Sequence, residues 1–257
     1  MLHLLFALVL LLLGACQGRS AENATQPVTG NLTPKTYQDR QGQAMPYRLL
    51  VPAQYDPQKK YPLVLYLHGS GGIGRDNLKQ IQGGNSFMVS FLTSHETQAK
   101  YPCFVLVPQS NDDGWVGEDT TTPTDQLRLV VELIEQLQQT YSIDPGRRYV
   151  TGQSLGGFGT FAIISLRPDW FAAAVPLCGG GDEAKAGQIA RVPLWAFHGE
   201  KDDSVKVERS RQMIAALEQA GGQPKYTEYR GEGHDVWKKV VKEPELLPWL
   251  FAQKRAQ

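Results

Sequence analysis

Residues 149–161 read YVTGQSLGGFGTF, a short β-branched and aromatic run that breaks into four glycines around Ser154. The stretch admits three readings: a reactive hydroxyl on a sharp strand-to-helix turn, a flexible glycine loop, or a phosphate cradle. Gly152 to Gly156 fit G-x-S-x-G. A serine on so tight a turn needs glycine two positions to either side, because side chains there would collide with neighbouring backbone. Such a turn lifts the hydroxyl to the top of a sheet, and the helix that follows aims its free N–H groups and positive dipole end at the same spot. Gly157 and Gly159 then fall inside that helix, where each costs about 0.8–1 kcal/mol relative to alanine. Close packing against the sheet would explain the cost.

The flanking sequence decides whether a strand and a helix are there. YPLVLYLHG (61–69) and YPCFVLVPQ (101–109) are nearly continuous apolar runs bounded by proline and glycine, as strands buried on both faces require. RRYVTG, FAAAVPLC, VPLWAFHG and PKYTEYRG read as further strands, and KTYQDRQGQAMPYRLLVP as an opening hairpin with Gly42 at its turn. Leu127, Val130, Val131, Ile134 and Leu137 recur at helical spacing, behind Thr122 as N-cap and Pro123 in the first turn. Helices are also expected over 87–92, 155–166, 207–220 and 244–254. Alternating strands and helices define an α/β domain with a mostly parallel central sheet and helices on both faces. Ligands of such sheets bind outside the carboxyl ends of the strands, and the polar, glycine-rich stretches of this chain lie at those exits.

A serine hydroxyl needs a base. His95, in the polar stretch TSHETQ, reads as a solvated loop residue, whereas His68 and His198 end strands and suit hydrogen bonding within the exit turns. His234, in GEGHDVW, follows the last strand. Where a nucleophile elbow is used the chain order is serine, acid, histidine, which makes His234 the base by elimination. The acid falls in WAFHGEKDDSV, where spacing does not choose between Asp202 and Asp203; Asp182 and Glu183, one loop earlier, are weaker alternatives. An oxyanion hole needs two backbone N–H donors. Leu155 supplies one, and HGSGGIG supplies the other through Ser70, with Gly71 in reserve. Gly69, Gly71 and Gly74 also scan as G-x-G-x-x-G, but no helix opens on the third glycine and the next strand ends without an acid for a ribose, which disfavours a dinucleotide site. Gly71, Trp115, Gln153 and Trp237 are candidates for the substrate pocket, and Asp112, Asp113, Glu118 and Asp119 read as a solvated acidic loop.

The 257 residues suffice for one sizeable core. Lysine plus arginine and aspartate plus glutamate both number 26, with no basic run, which argues against nucleic acid as a partner. Leu4 to Leu13 form an apolar run of ten, too short to span a bilayer and suited to a signal-peptide core. The following LLLGAC resembles a bacterial lipoprotein signal, although the amino-terminal lysine or arginine is missing. The resemblance implies a lipoprotein-type signal over 1–15, a lipid on Cys16, a flexible tether over 16–35, and a catalytic domain over 36–257 exported to the bacterial cell envelope and touching the membrane only through its anchor. The alternative is an ordinary secretory signal with Cys16 incidental. Cys103 opens one strand and Cys178 closes another, so they stand at opposite sheet edges, ~17–20 Å apart against the ~4.4–6.8 Å a disulfide allows. Two free thiols are expected.

Together YPLVLYLHGSGGIGRDN, GQSLGGFGTF, VPLCGGGD, VPLWAFHGEKDDSV and GEGHDVW resemble the α/β-hydrolase superfamily over about residues 36–255. They are most similar to the esterase group of predicted-peptidase, phospholipase/carboxylesterase and dienelactone-hydrolase-like type, which shades into feruloyl and acetylxylan esterases. In that group the acid belongs to H-G-x-x-D-x-x-V, matched here by His198, Gly199, Asp202 and Val205, so the resemblance selects Asp202. Dienelactone hydrolases proper use a cysteine nucleophile where this chain has Ser154, and lactone opening is not implied. The resemblance implies a serine carboxylesterase with the triad Ser154, Asp202 and His234, no metal and no cofactor, acting on small or carbohydrate-linked esters. Acyl specificity and oligomeric state stay open. The runner-up readings are a prolyl-oligopeptidase-type peptidase, which lacks here its usual gating domain, and a non-catalytic binding lipoprotein.

Overall fold

The computed structural model describes residues 32–255; the signal and lipidation readings and the tether up to residue 31 lie outside the described residues. The last four tether positions are corrected: Leu32 is buried and residues 33–35 pair with the second strand, so the domain begins ahead of residue 36. One eight-stranded sheet runs in the order β1-β2-β4-β3-β5-β6-β7-β8, with β1 at Thr33–Gln38, β2 at Ala44–Leu50, β3 at Tyr61–Leu67, β4 at Phe104–Pro108, β5 at Ile143–Gln153, β6 at Ala173–Leu177, β7 at Trp195–Gly199 and β8 at Lys225–Tyr229. The β1–β2 and β2–β4 pairs are antiparallel and the other pairs are parallel. This is the α/β-hydrolase fold expected from the sequence. The opening hairpin turns at Gly42, whose φ of 85° suits glycine.

The apolar strands are continuous because both sheet faces are covered. Leu63, Leu65 and Leu67 feed one apolar cluster, whereas Val64 and Tyr66 feed the other, as a period of two demands. The first cluster is closed by α3 (Asp125–Thr140), α4 (Leu155–Leu166), α5 (Ala186–Ile189) and α6 (Glu208–Gln219). The second is closed by α1 (Ser86–Thr93), α7 (Trp237–Val240) and α8 (Leu246–Ala252). Among the described residues no helix is long and apolar enough to cross a membrane.

Two local readings change. The α3 helix opens at Asp125 with Thr124 at its N-cap, because Asp119 holds Thr122 in the preceding loop through the Thr122 N–H at 2.8 Å and hydroxyl at 2.5 Å. His95 is exposed but lies in a helix, α2 (His95–Lys100), capped by the Ser94 hydroxyl, which accepts from Thr97 N–H at 3.1 Å. TSHETQ is thus a capped helix start, a signal obscured by its lack of apolar periodicity. Cys103 and Cys178 are both buried and unpaired, and burial pushes the Cys103 thiol up to about 12. Neither should react with Ellman's reagent until the chain is denatured; fast labelling of either in the native Cys16→Ser protein would contradict that burial.

The glycines of α4 are explained by contact. A Cβ on Gly159 would lie 2.8 Å from the Trp115 Cβ, and one on Gly157 only 2.5 Å from the Leu177 carbonyl oxygen. By contrast, a Cβ on Gly187 in α5 meets nothing within 4 Å. Urea denaturation should therefore show Gly159→Ala destabilised by about 1–3 kcal/mol through overpacking. Gly187→Ala should be neutral or up to about 1 kcal/mol more stable. Equal stability of the two variants would refute this packing.

Candidate active site

Ser154 stands between the last residue of β5 and the first of α4 at φ 54°, ψ −119°. Positive φ on a residue with a side chain costs on the order of 1–3 kcal/mol, so the surroundings must impose it. They do so by close approach: a Cβ on Gly156 would lie 1.9 Å from the Leu67 carbonyl oxygen, and one on Gly152 would lie 2.3 Å from the Gly156 carbonyl oxygen. Ser154 N–H donates to Leu177 O at 2.8 Å, while Ser154 O accepts from Gly157 and Phe158 N–H. Leu155 N–H, at the start of α4, has no intrahelical acceptor to meet.

The exit of β3 lies against this elbow. The Gly69 position faces Ser154, with 3.6 Å from its Cβ direction to the Ser154 Cβ. Gly69 is held from three sides: its N–H donates to Asn85 Oδ1 at 2.8 Å, and its carbonyl accepts from Gly72 N–H and from the His68 ring, both at 2.8 Å. Ser110 N–H donates to His68 Nε2 at 3.0 Å, so Nδ1 carries the proton that goes to Gly69 O. Burial lowers the His68 pKa to about 4, which keeps the ring neutral. Ser70 and Gly71 are exposed at the start of the one-turn 3-10 helix, and the neighbouring bonds leave their N–H groups without an acceptor among the described residues.

His234 and Asp202 meet directly. His234 Nδ1 donates to Asp202 Oδ2 at 2.7 Å, the imidazole being about a quarter exposed and the carboxylate enclosed. Asp202 Oδ1 accepts from Ser204 N–H at 2.9 Å and Val205 N–H at 2.8 Å. Burial alone would raise this carboxyl, but the His234 bond and these N–H groups outweigh it and hold it below the usual carboxylate range. Asp203 points into solvent with its side chain 99% exposed, and Asp182 caps a helical turn through Ala184 N–H; Glu183 makes only a 3.9 Å pair with Arg209. The histidine loop is tied to the strand that anchors Ser154, since the Cys178 thiol donates to His234 O at 3.2 Å, one residue after Leu177.

The pocket candidates separate. Trp115 is core: it is fully buried, packs at a tilt against the His68 ring at 4.8 Å and donates Nε1–H to His68 O at 2.9 Å. That corrects its reading as a pocket wall, because the loop exit that carries it folds inward over Gly159. Gln153 is also buried, its Oε1 accepting from Tyr66 OH at 2.8 Å. Trp237 is 7% exposed and stands edge-on to the His234 ring at 5.3 Å. Gly71 stays exposed at the rim, and Asp112, Asp113, Glu118 and Asp119 are exposed as expected.

Cys178, Asp202 and His234 bring ligand atoms within 4.8 Å of one another. Burial and the Asp202 charge push the Cys178 thiol upward, so the sulfur stays protonated and donates to the His234 carbonyl. A metal there would have to break the His234–Asp202 bond. The geometry suits a hydrogen-bonded acid–base pair better than a cation.

Fold and site together define an α/β-hydrolase fold with a serine held at positive φ on a strand-to-helix turn. The chain belongs to the Esterase family (described as "Putative esterase"), whose match runs over residues 39–239. A solved structure titled "Crystal Structure of a Thermostable Esterase" superposes with a TM-score of 0.84 at 37% identity, covering 88% of this chain and 64% of that one. The "Probable feruloyl esterase C" of Aspergillus terreus (strain NIH 2624 / FGSC A1156) is 27% identical over 68% of this chain and 62% of its own length. The "Bifunctional acetylxylan esterase/xylanase XynS20E" of Neocallimastix patriciarum is 30% identical over 65% of this chain and 23% of its length. The chain thus spans less than two thirds of each of these proteins.

Asp202→Asn should lower ester turnover by about 10³–10⁴-fold, because the amide no longer fixes the imidazole tautomer. Asp203→Ala should change it less than twofold. The kcat of both variants on one chromogenic ester checks this, and a larger loss at Asp203 would reverse the assignment.

Proposed function

We propose that this protein is a serine carboxylesterase that works through an acyl-enzyme. The observation that carries the reading is Ser154, a serine forced to positive φ between two glycines that admit no side chain, at the strand-exit edge where the His234–Asp202 pair also stands. His234 accepts the Ser154 proton through Nε2 as the hydroxyl oxygen attacks the ester carbonyl. Asp202 holds the opposite ring nitrogen and stabilises the imidazolium. The oxyanion is met by the N–H groups of Ser70 and Leu155. Collapse breaks the ester C–O bond, His234 returns its proton to the leaving alcohol, and a water molecule then attacks the acyl-serine by the same route in reverse. These steps use only side chains and backbone donors of this chain.

The substrate class follows from the relatives, which are named for feruloyl and acetylxylan ester cleavage; acylated carbohydrate esters are the proposed substrates. Export is proposed from the apolar run at Leu4 to Leu13, together with a match named "Uncharacterized secreted protein". Lipid attachment at Cys16 in a bacterial envelope, with a tether ahead of the first strand, extends that reading.

Assay of nitrophenyl acetate, nitrophenyl butyrate, methyl ferulate and acetylated xylan beside peptide anilides tests the proposal. Esters should turn over, anilides should not, and Ser154→Ala should fall to background. Anilide cleavage dependent on Ser154 would favour a peptidase, and ester cleavage persisting in Ser154→Ala would place the chemistry elsewhere.

A further inference from the structure

A second imidazole reaches the carboxylate of Asp202. His198 Nε2 lies 3.2 Å from Asp202 Oδ2, the oxygen that also receives His234, and both His198 and Asp202 side chains are sealed from solvent. The ring's other contacts fix its state. Nε2 also faces Val205 O at 2.9 Å, so it stands before two acceptors and must carry a proton. Nδ1 faces the Ser210 hydroxyl at 2.7 Å. That hydroxyl has one proton and a second acceptor, Gly179 O, at 2.9 Å. In a neutral ring Nδ1 accepts the Ser210 proton; in a cationic ring Nδ1 would donate and Ser210 would turn to Gly179. Burial disfavours the cation, and so would a second positive charge beside the His234 imidazolium.

We propose that His198 is a positioning residue for the reaction: a neutral imidazole, its tautomer set by Ser210, whose Nε2–H orients Asp202 toward His234. The inference rests on the serine-esterase reading. Around Asp202 stand the N–H groups of Ser204 and Val205 and, at 3.2 Å, the His198 ring, all from within four residues of it, together with His234. The two N–H groups of Ser204 and Val205 fix Oδ1. His198 is the donor that restrains Oδ2 while His234 gains and loses its proton. As a neutral donor it does so without cancelling the carboxylate charge that the imidazolium needs. The same arrangement gives the i, i+4 spacing of His198 and Asp202 a reason. Gly199 between them has its Cβ direction 2.1 Å from Gly233 O, so the turn carrying the acid is pressed onto the loop carrying the base.

Two amide replacements separate positioning from mere packing. Gln at 198 reaches the Nε2 position and keeps an uncharged donor to Asp202; Asn reaches only the Nδ1 position and keeps the Ser210 contact alone. Steady-state kinetics on one chromogenic ester should show His198→Asn losing about 10–100-fold in kcat, the range for a hydrogen bond to a charged group, with KM within twofold. His198→Gln should stay within about threefold of wild type. His198→Leu repeats the removal should the Asn variant not fold. Equal kcat for Gln and Asn, or a loss confined to KM, overturns the assignment while leaving the esterase reading intact. A wild-type protein that hydrolyses no ester overturns both.

Discussion

The close approach of α4 to the sheet governs the rest of the molecule. At Gly156 the helix backbone presses on the Leu67 carbonyl so tightly that no Cβ fits, and this contact holds Ser154 in a conformation it would not adopt alone. The cost, on the order of 1–3 kcal/mol at the serine and about 0.8–1 kcal/mol for each helical glycine, is offset by burial along α4, where Phe161, Ile163 and Ile164 are enclosed. Because the same contact abuts the exit of β3, the N–H groups at Ser70 and the Ser154 hydroxyl are set relative to each other by packed backbone instead of by flexible side chains.

A second layer is polar and buried. Trp115, His68, Ser110 and Asn85 pin the β3 exit, and His198, Ser210 and Asp202 pin the turn after β7. Each group has a stated partner, so burial raises the strength of these bonds and fixes tautomers without leaving an ionised group unpaired. His68 and His198 are kept neutral by burial, while Asp202 stays ionised below the usual carboxylate range. The contrast places the negative charge beside His234 and nowhere else in the network.

Much of this was legible in the sequence. Strands buried on both faces announce themselves as unbroken apolar runs, and Gly-x-Ser-x-Gly at a strand-to-helix junction has steric content that can be checked residue by residue. Asp202 over Asp203 was not decided by spacing; it needed the motif resemblance, and the structure gives the physical difference, one carboxylate enclosed and the other in water. Trp115 is not legible as core, because a tryptophan in an acidic, glycine-rich loop carries no pattern showing that the loop tucks inward. His198 does hydrogen-bond within its exit turn, to Val205 O, as its place in the sequence suggests; nothing in one sequence reveals that two imidazoles converge on one oxygen. The α2 helix leaves no periodic signal because its stability comes from a cap and tertiary packing, not from an apolar stripe.

The central claim is that the elbow makes one hydroxyl nucleophilic. Incubation with a fluorophosphonate, followed by digestion and peptide mass spectrometry, tests it without assuming a substrate. A single stoichiometric adduct on Ser154, lost when His234 is replaced by alanine, is the predicted result. No adduct, or modification spread over other hydroxyls and indifferent to His234, would contradict it.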